Sequence, residues 1–187
     1  MKKIFYNALK LQVIIVLTWI FFFSLNHLLS FISPYKNYIS LIFIPSGFKI
    51  VIACLLRWHC FPGLFFGSII TGLIYLDKSM HEHLWIFSLF SAFSPIVTII
   101  IADYFLSLGY KLKEINLQKI ILIAVLYGLV CSALHNTYLF WLGEISFIEF
   151  QQDSLAMFIG DFTGAMLFLS ILSYFRENLI KLANRYL

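Results

Sequence analysis

Two charged residues in this sequence lie where charge is hard to accommodate. Lys49 follows Pro45, Ser46 and Gly47 inside an apolar run, and Asp161 lies between Gly160 and Gly164 in another. A charged side chain at membrane depth is costly, so it faces a protein interior and has a partner or a task. Lys49 and Asp161 are opposite in sign, which suits them to a structural ion pair or to a ligand site. A second polar set falls on one stretch: Ser132, His135 and Asn136 are spaced i, i+3 and i+4, so they share one helical face that must look inward. Asn26 and His27 occur at a similar height in the first apolar run. Lys49, Asp161, His135, Asn136, Ser46, Asn26 and His27 are therefore the candidate lining of an intramembrane polar pocket, and a small molecule is the ligand such a pocket implies. A packed kink with Lys49 snorkelling, and a hydrogen-bonded core histidine at 135, account for the same residues without a ligand.

Catalysis finds no support in the motifs. There is no glycine-rich phosphate loop, nucleophile elbow or helical His-Glu-x-x-His pattern, so no enzymatic activity is expected. His81, Glu82 and His83 are adjacent, and adjacent loop residues rarely converge on the three or four positions that zinc needs. No metal and no cofactor is expected. Cys54, Cys60 and Cys131 lie in or beside apolar runs and read as inert buried thiols.

The elements that carry these residues are built for lipid. The chain of 187 residues is 61% hydrophobic and 12% charged, with a mean hydropathy of +0.93, whereas a soluble domain is about a quarter charged. The net charge of +4 is dispersed without a basic tract, which argues against nucleic acid and for the lipid bilayer as partner. Six runs reach spanning length, near 11–32, 37–56, 60–76, 84–107, 117–142 and 155–175. The expected fold is all-α: one polytopic integral membrane bundle of six transmembrane helices over residues 1–187.

Lys and Arg set the orientation. With the N-terminus inside, the inner segments hold Lys2, Lys3, Lys10, Arg57, Lys111, Lys113, Lys119, Arg176, Lys181 and Arg185, and the outer loops hold only Lys36 and Lys78. Both termini are thus expected to be cytoplasmic. Helix two then runs inward, with Lys49 about 18 Å from its outer end. Pro45 and Gly47 should kink or open that helix. Gly63, Gly67 and Thr71 suggest a packing face against helix two, and Gly160 with Gly164 a small-residue contact. Asp103 should pair with Arg57 or Lys111.

The combination of Pro45-Ser46-Gly47, Arg57 with Trp58, Pro62-Gly63 with Gly67-Ser68, and Gly160-Asp161 resembles the MASE-type family of membrane-associated sensor domains. The resemblance runs over 42–72 and 159–169. It implies a multi-pass module of the bacterial inner (cytoplasmic) membrane with a role in sensing and signal transduction. Pro45, Gly47, Gly63, Gly67, Gly160 and Asp161 match the family pattern, and Lys49 fits a position where a basic residue is expected. The span count is lower than in longer members and no output domain is visible, so signalling is expected to pass to a separate partner protein. The alternative is a small membrane transporter or the substrate-binding component of one, since a broken helix beside a midplane charge is how many transporters hold substrate.

Overall fold

The structure, a computed structural model, describes residues 2–29, 34–36, 39–106 and 117–186. Six α-helices account for most of it: α1 (Lys2–Leu29), α2 (Pro45–Leu56), α3 (Phe61–Tyr75), α4 (Leu84–Leu106), α5 (Leu117–Leu142) and α6 (Phe147–Tyr186). Short 3-10 turns at Arg57–Cys60 and Lys78–His83 link α2 to α3 and α3 to α4. Two strands, β1 (Pro34–Lys36) and β2 (Ile39–Ser40), pair antiparallel ahead of α2.

Side-chain pairings give each helix its direction. Asn26, Phe22 and Trp19 of α1 meet Ile44, Phe48 and Lys49, so α2 runs antiparallel to α1. Gln12 and Trp19 meet Gly63 and Thr71, so α3 runs parallel to α1. The chain therefore reverses at Arg57, whose φ of 51° and ψ of −129° make the turn. Ser68 against Ser91, Phe87 against His135, and Phe140 against Phe147 carry the alternation through α4, α5 and α6. Arg57 at the reversal bonds Asp103 at 3.2 Å, one of the two pairings expected for that carboxylate.

Several sequence boundaries need correction. The run at 37–56 is not one helix, because its first part forms β2 and an irregular connector, and α2 begins only at Pro45. Pro45 is thus no kink. It occupies the opening of a helix, where the missing N–H is not needed and the fixed φ is already helical. The last helix starts at Phe147 rather than 155, so Asp161 lies about four turns into it rather than two.

Among the described residues, five segments are long and apolar enough to cross a membrane: Tyr6–Leu29, Pro45–Tyr75, Lys78–Phe105, Gln118–Leu142 and Phe147–Leu172. Six runs were expected. The difference arises at Pro45–Tyr75, which counts once although it contains both α2 and α3. Taken singly, α2 with 12 residues and α3 with 15 reach only about 18 Å and 22 Å, short of the roughly 30 Å hydrocarbon core.

The interior centres on Ile15 and Trp19 of α1, Phe48 and Ile50 of α2, Leu64 of α3, Ile96 and Ile99 of α4, and Ile123 and Tyr127 of α5. Large apolar side chains such as Phe21, Trp85, Phe105 and Trp141 remain exposed, as suits an exterior solvated by hydrocarbon. Gly63 and Gly67 do not face α2, contrary to the sequence expectation. Their Cα atoms lie against Ile15 and Trp19 of α1, because the reversal at Arg57 lays α3 along α1 while α2 turns toward α6 and α4.

Candidate functional site

The site is organised around the connector that leads from β2 into α2. Four hydrogen bonds hold it. Ile44 N–H donates to Asn26 Oδ1 at 2.9 Å, and Phe43 N–H donates to the Gly160 carbonyl at 2.9 Å. Thr163 Oγ1 lies 2.8 Å from the Leu41 carbonyl and 2.7 Å from the Ile159 carbonyl of its own helix, and its single hydrogen serves one at a time. Ser46 Oγ lies 2.7 Å from both the Asp161 and the Phe43 carbonyls, and its single hydrogen serves one at a time. Gly160 and Gly164 face this connector rather than a helix: a Cβ on either would fall on the Ser40 or the Phe43 carbonyl. Their small-residue spacing admits a backbone strand, not a neighbouring helix. Gly47 likewise makes room for Phe168 of α6.

This anchoring fixes the first turn of α2 and, with it, Lys49. The side chain is 3% exposed. Its Nζ lies 4.7 Å from the Trp19 ring centroid, 5.6 Å from that of Phe43 and 5.9 Å from that of Tyr127. Aromatic faces carry negative potential, so the three rings stabilise the ammonium without neutralising it. Trp19 is itself held by its indole N–H, which donates to Thr71 Oγ1 at 3.1 Å.

Lys49 faces a cavity of about 510 Å³. Of the sequence candidates, Asn26, His27, Lys49, His135 and Asn136 lie on its wall. Ser46 and Asp161 do not, which corrects their expected place in the lining. Ser46 is used up in holding the connector, and Asp161, 2% exposed, is sealed behind the wall. Lys49 and Asp161 are within electrostatic range of each other, with Cys131 beside both, yet no direct ion pair joins them. Asp161 Oδ2 has no hydrogen-bond partner among the described residues.

The polar residues of α5 split between wall and backbone. His135 Nδ1 lies 2.9 Å from the Cys131 carbonyl, and its ring stacks on Phe87 at 5.7 Å between centroids. Asn136 Nδ2 donates to the Ser132 carbonyl at 3.0 Å. Ser132 turns back on its own helix, donating to Leu129 O. His81 and His83 are also accounted for, the first near the Leu76 carbonyl and the second 3.0 Å from Tyr138 Oη.

The sequence reading missed the contribution of α3 and α4. Ser68, Thr71, Ser88 and Ser91 line the wall opposite α5, with Ser68 Oγ donating to Ser91 Oγ at 2.9 Å. Ser88 and Ser91 lie at i and i+3, a spacing that marks a shared face. Small hydroxyls on apolar helices also serve helix packing, which masks that signal. The apolar part of the wall was equally unforeseen: Trp19, Phe23, Phe43, Tyr75 and Phe87 ring the space.

No curated protein and no solved structure matches this chain. The MASE1 family profile matches residues 11–185, nearly the whole length and far beyond the two stretches that carry the resemblance in sequence. That match spans the connector, the Lys49 turn, the cavity walls and Asp161 together, on a predominantly helical, lipid-suited frame. The chain belongs to the MASE1 family of membrane-associated sensory domains.

Proposed function

We propose that this protein is a sensory unit of the bacterial inner membrane in which a small molecule occupies the cavity above Lys49 and its presence is relayed to a separate partner chain. The observation that carries the reading is the cavity itself: about 510 Å³, within the range of roughly 300–1,000 Å³ typical of ligand sites, with a buried cation on its wall that has no ion-pair partner among the described residues. In this reading all six helices cross, the β1–β2 hairpin and connector making up the thickness that α2 lacks. The charge asymmetry supports a cytoplasmic location for both termini, and in this reading the cavity opens toward the outer side.

The relay has a natural path. Gly160, Asp161 and Thr163 of α6 hold the connector that positions Lys49. The same helix continues to Tyr186, 40 residues in all or about 60 Å, twice the hydrocarbon thickness. A shift at the connector would move a rigid rod that reaches the inner surface.

Cysteines introduced at Ser79, Glu144 and Leu182 test the orientation. Membrane-impermeant maleimide should label Ser79→Cys and Glu144→Cys in intact cells, and Leu182→Cys only after lysis; the opposite pattern overturns it. A photoreactive residue at position 182 should crosslink a signalling protein. Substrate flux across vesicles containing the purified protein alone would replace sensing with transport.

A further inference from the structure

Resting on the sensory reading, we infer that the ligand is a small aromatic monocarboxylate whose carboxylate meets Lys49 Nζ while its ring lies among Trp19, Phe23, Phe43, Tyr75 and Phe87.

The charge inventory of the wall sets the sign. Among the described residues Lys49 is the one Asp, Glu, Lys or Arg side chain on the wall, and none of them presents a carboxylate to the space. Asp161 is near enough to moderate the field but is sealed behind the wall, so it cannot receive a ligand cation. A cationic ligand would thus meet an ammonium with no counter-charge in reach. An anion would give that ammonium the hydrogen-bonding partner it lacks, and charge-assisted bonds of this kind are among the stronger ones.

The number of charges follows from the same inventory. One ammonium balances one carboxylate. A dicarboxylate or phosphate ester would bring a second negative charge into a low-dielectric space with no cation to meet it, and unpaired buried charge is costly. The body of the ligand follows from the rings. Trp19 stands beside Lys49, so an aromatic acid bound to Nζ would place its ring against the indole, where offset or edge-to-face contact is favoured. Asn26, Asn136 and His135 supply further polar groups on the wall for the carboxylate's second oxygen or a ring substituent.

The test uses the protein in lipid nanodiscs with phenylacetate, indole-3-acetate, phenylacetamide, phenethylamine and succinate as probes, read by isothermal titration calorimetry and thermal stabilisation. The aromatic acids should bind at least about tenfold more tightly than the amide, and the amine and succinate should be weaker still. Lys49→Met removes the charge and should abolish the preference for acid over amide. Equal binding of acid and amide, tighter binding of the amine or succinate, or failure of either aromatic acid to bind overturns the inference, as does an acid preference that survives in Lys49→Met. The two readings can fail separately. If the amide or amine binds and the cavity-filling Ser91→Phe displaces it, the sensory cavity stands and only the ligand class falls. If probe binding is untouched by Ser91→Phe, the cavity is not the site and both fall.

Discussion

Replacing Gly164 by alanine tests whether the connector against α6 is what positions Lys49. The new methyl would fall on the carbonyl of Phe43 and lie 2.7 Å from Ile44 N. Both obstacles are backbone, so no side chain can rotate away. Ordinary contact is near 3.4 Å, so clearing Ile44 N alone parts the connector and α6 by about 0.7 Å, and the nearer Phe43 carbonyl requires more; overpacking of this kind costs about 1–3 kcal/mol. The same displacement pulls on Phe43 N–H to Gly160 O and on Thr163 Oγ1 to Leu41 O, at 2.9 and 2.8 Å. Loss of the first would add about 0.5–1.5 kcal/mol, whereas the Thr163 hydroxyl can turn to the Ile159 carbonyl 2.7 Å away. The expected destabilisation is therefore about 1.5–4.5 kcal/mol. A thiol-reactive fluorogenic dye during heating of detergent-solubilised protein reports it directly, because Cys60 and Cys131 are buried in the fold. Ser170→Ala, on an exposed face of the same helix, is the control and should change stability by less than about 0.5 kcal/mol. A Gly164→Ala protein that melts with the wild type would refute the tight connector packing and the placement of Lys49 built on it.

Asn26→Ala removes the acceptor for the Ile44 N–H from a residue 4% exposed. Unfolding by denaturant should show a loss of about 1–3 kcal/mol, the cost of leaving a buried donor unsatisfied. At the reversal between α2 and α3, Arg57→Gly and Arg57→Ala both lose the bond to Asp103, whose partly exposed geometry makes it worth about 0–1 kcal/mol. Only glycine adopts a φ of 51° with ψ of −129° without strain. Arg57→Gly should therefore be more stable than Arg57→Ala by about 1–3 kcal/mol, and equal melting of the two variants would remove strain from the account of this turn.

Much of the frame was legible because it is written locally. Apolar runs of spanning length mark helices wherever they lie, and α5 was read at 117–142, matching Leu117–Leu142. The disruption at Pro45–Gly47 was equally visible, since proline and glycine act on their own backbone. Its form was not. Whether proline kinks a helix or begins one depends on what the preceding residues do, and residues 41–44 are held off the helix by Asn26, Gly160 and Thr163, which are distant in sequence.

The sequence by itself determined that this chain lives in lipid, that it is helical, and that Lys49, Asp161 and the α5 polar face could not point into hydrocarbon. Those conclusions need only composition, periodicity and the cost of burying charge. The tertiary structure alone decided which polar groups remain available. It spent Ser46 and Asn26 Oδ1 on the connector backbone, sealed Asp161 behind the wall, and brought Ser68, Thr71, Ser88 and Ser91 opposite α5. It also laid Gly63 and Gly67 against α1 instead of α2. The physical reason is common to all of them. Helical spacing tells which residues share a face, but which element that face meets is fixed by packing among segments far apart in the chain.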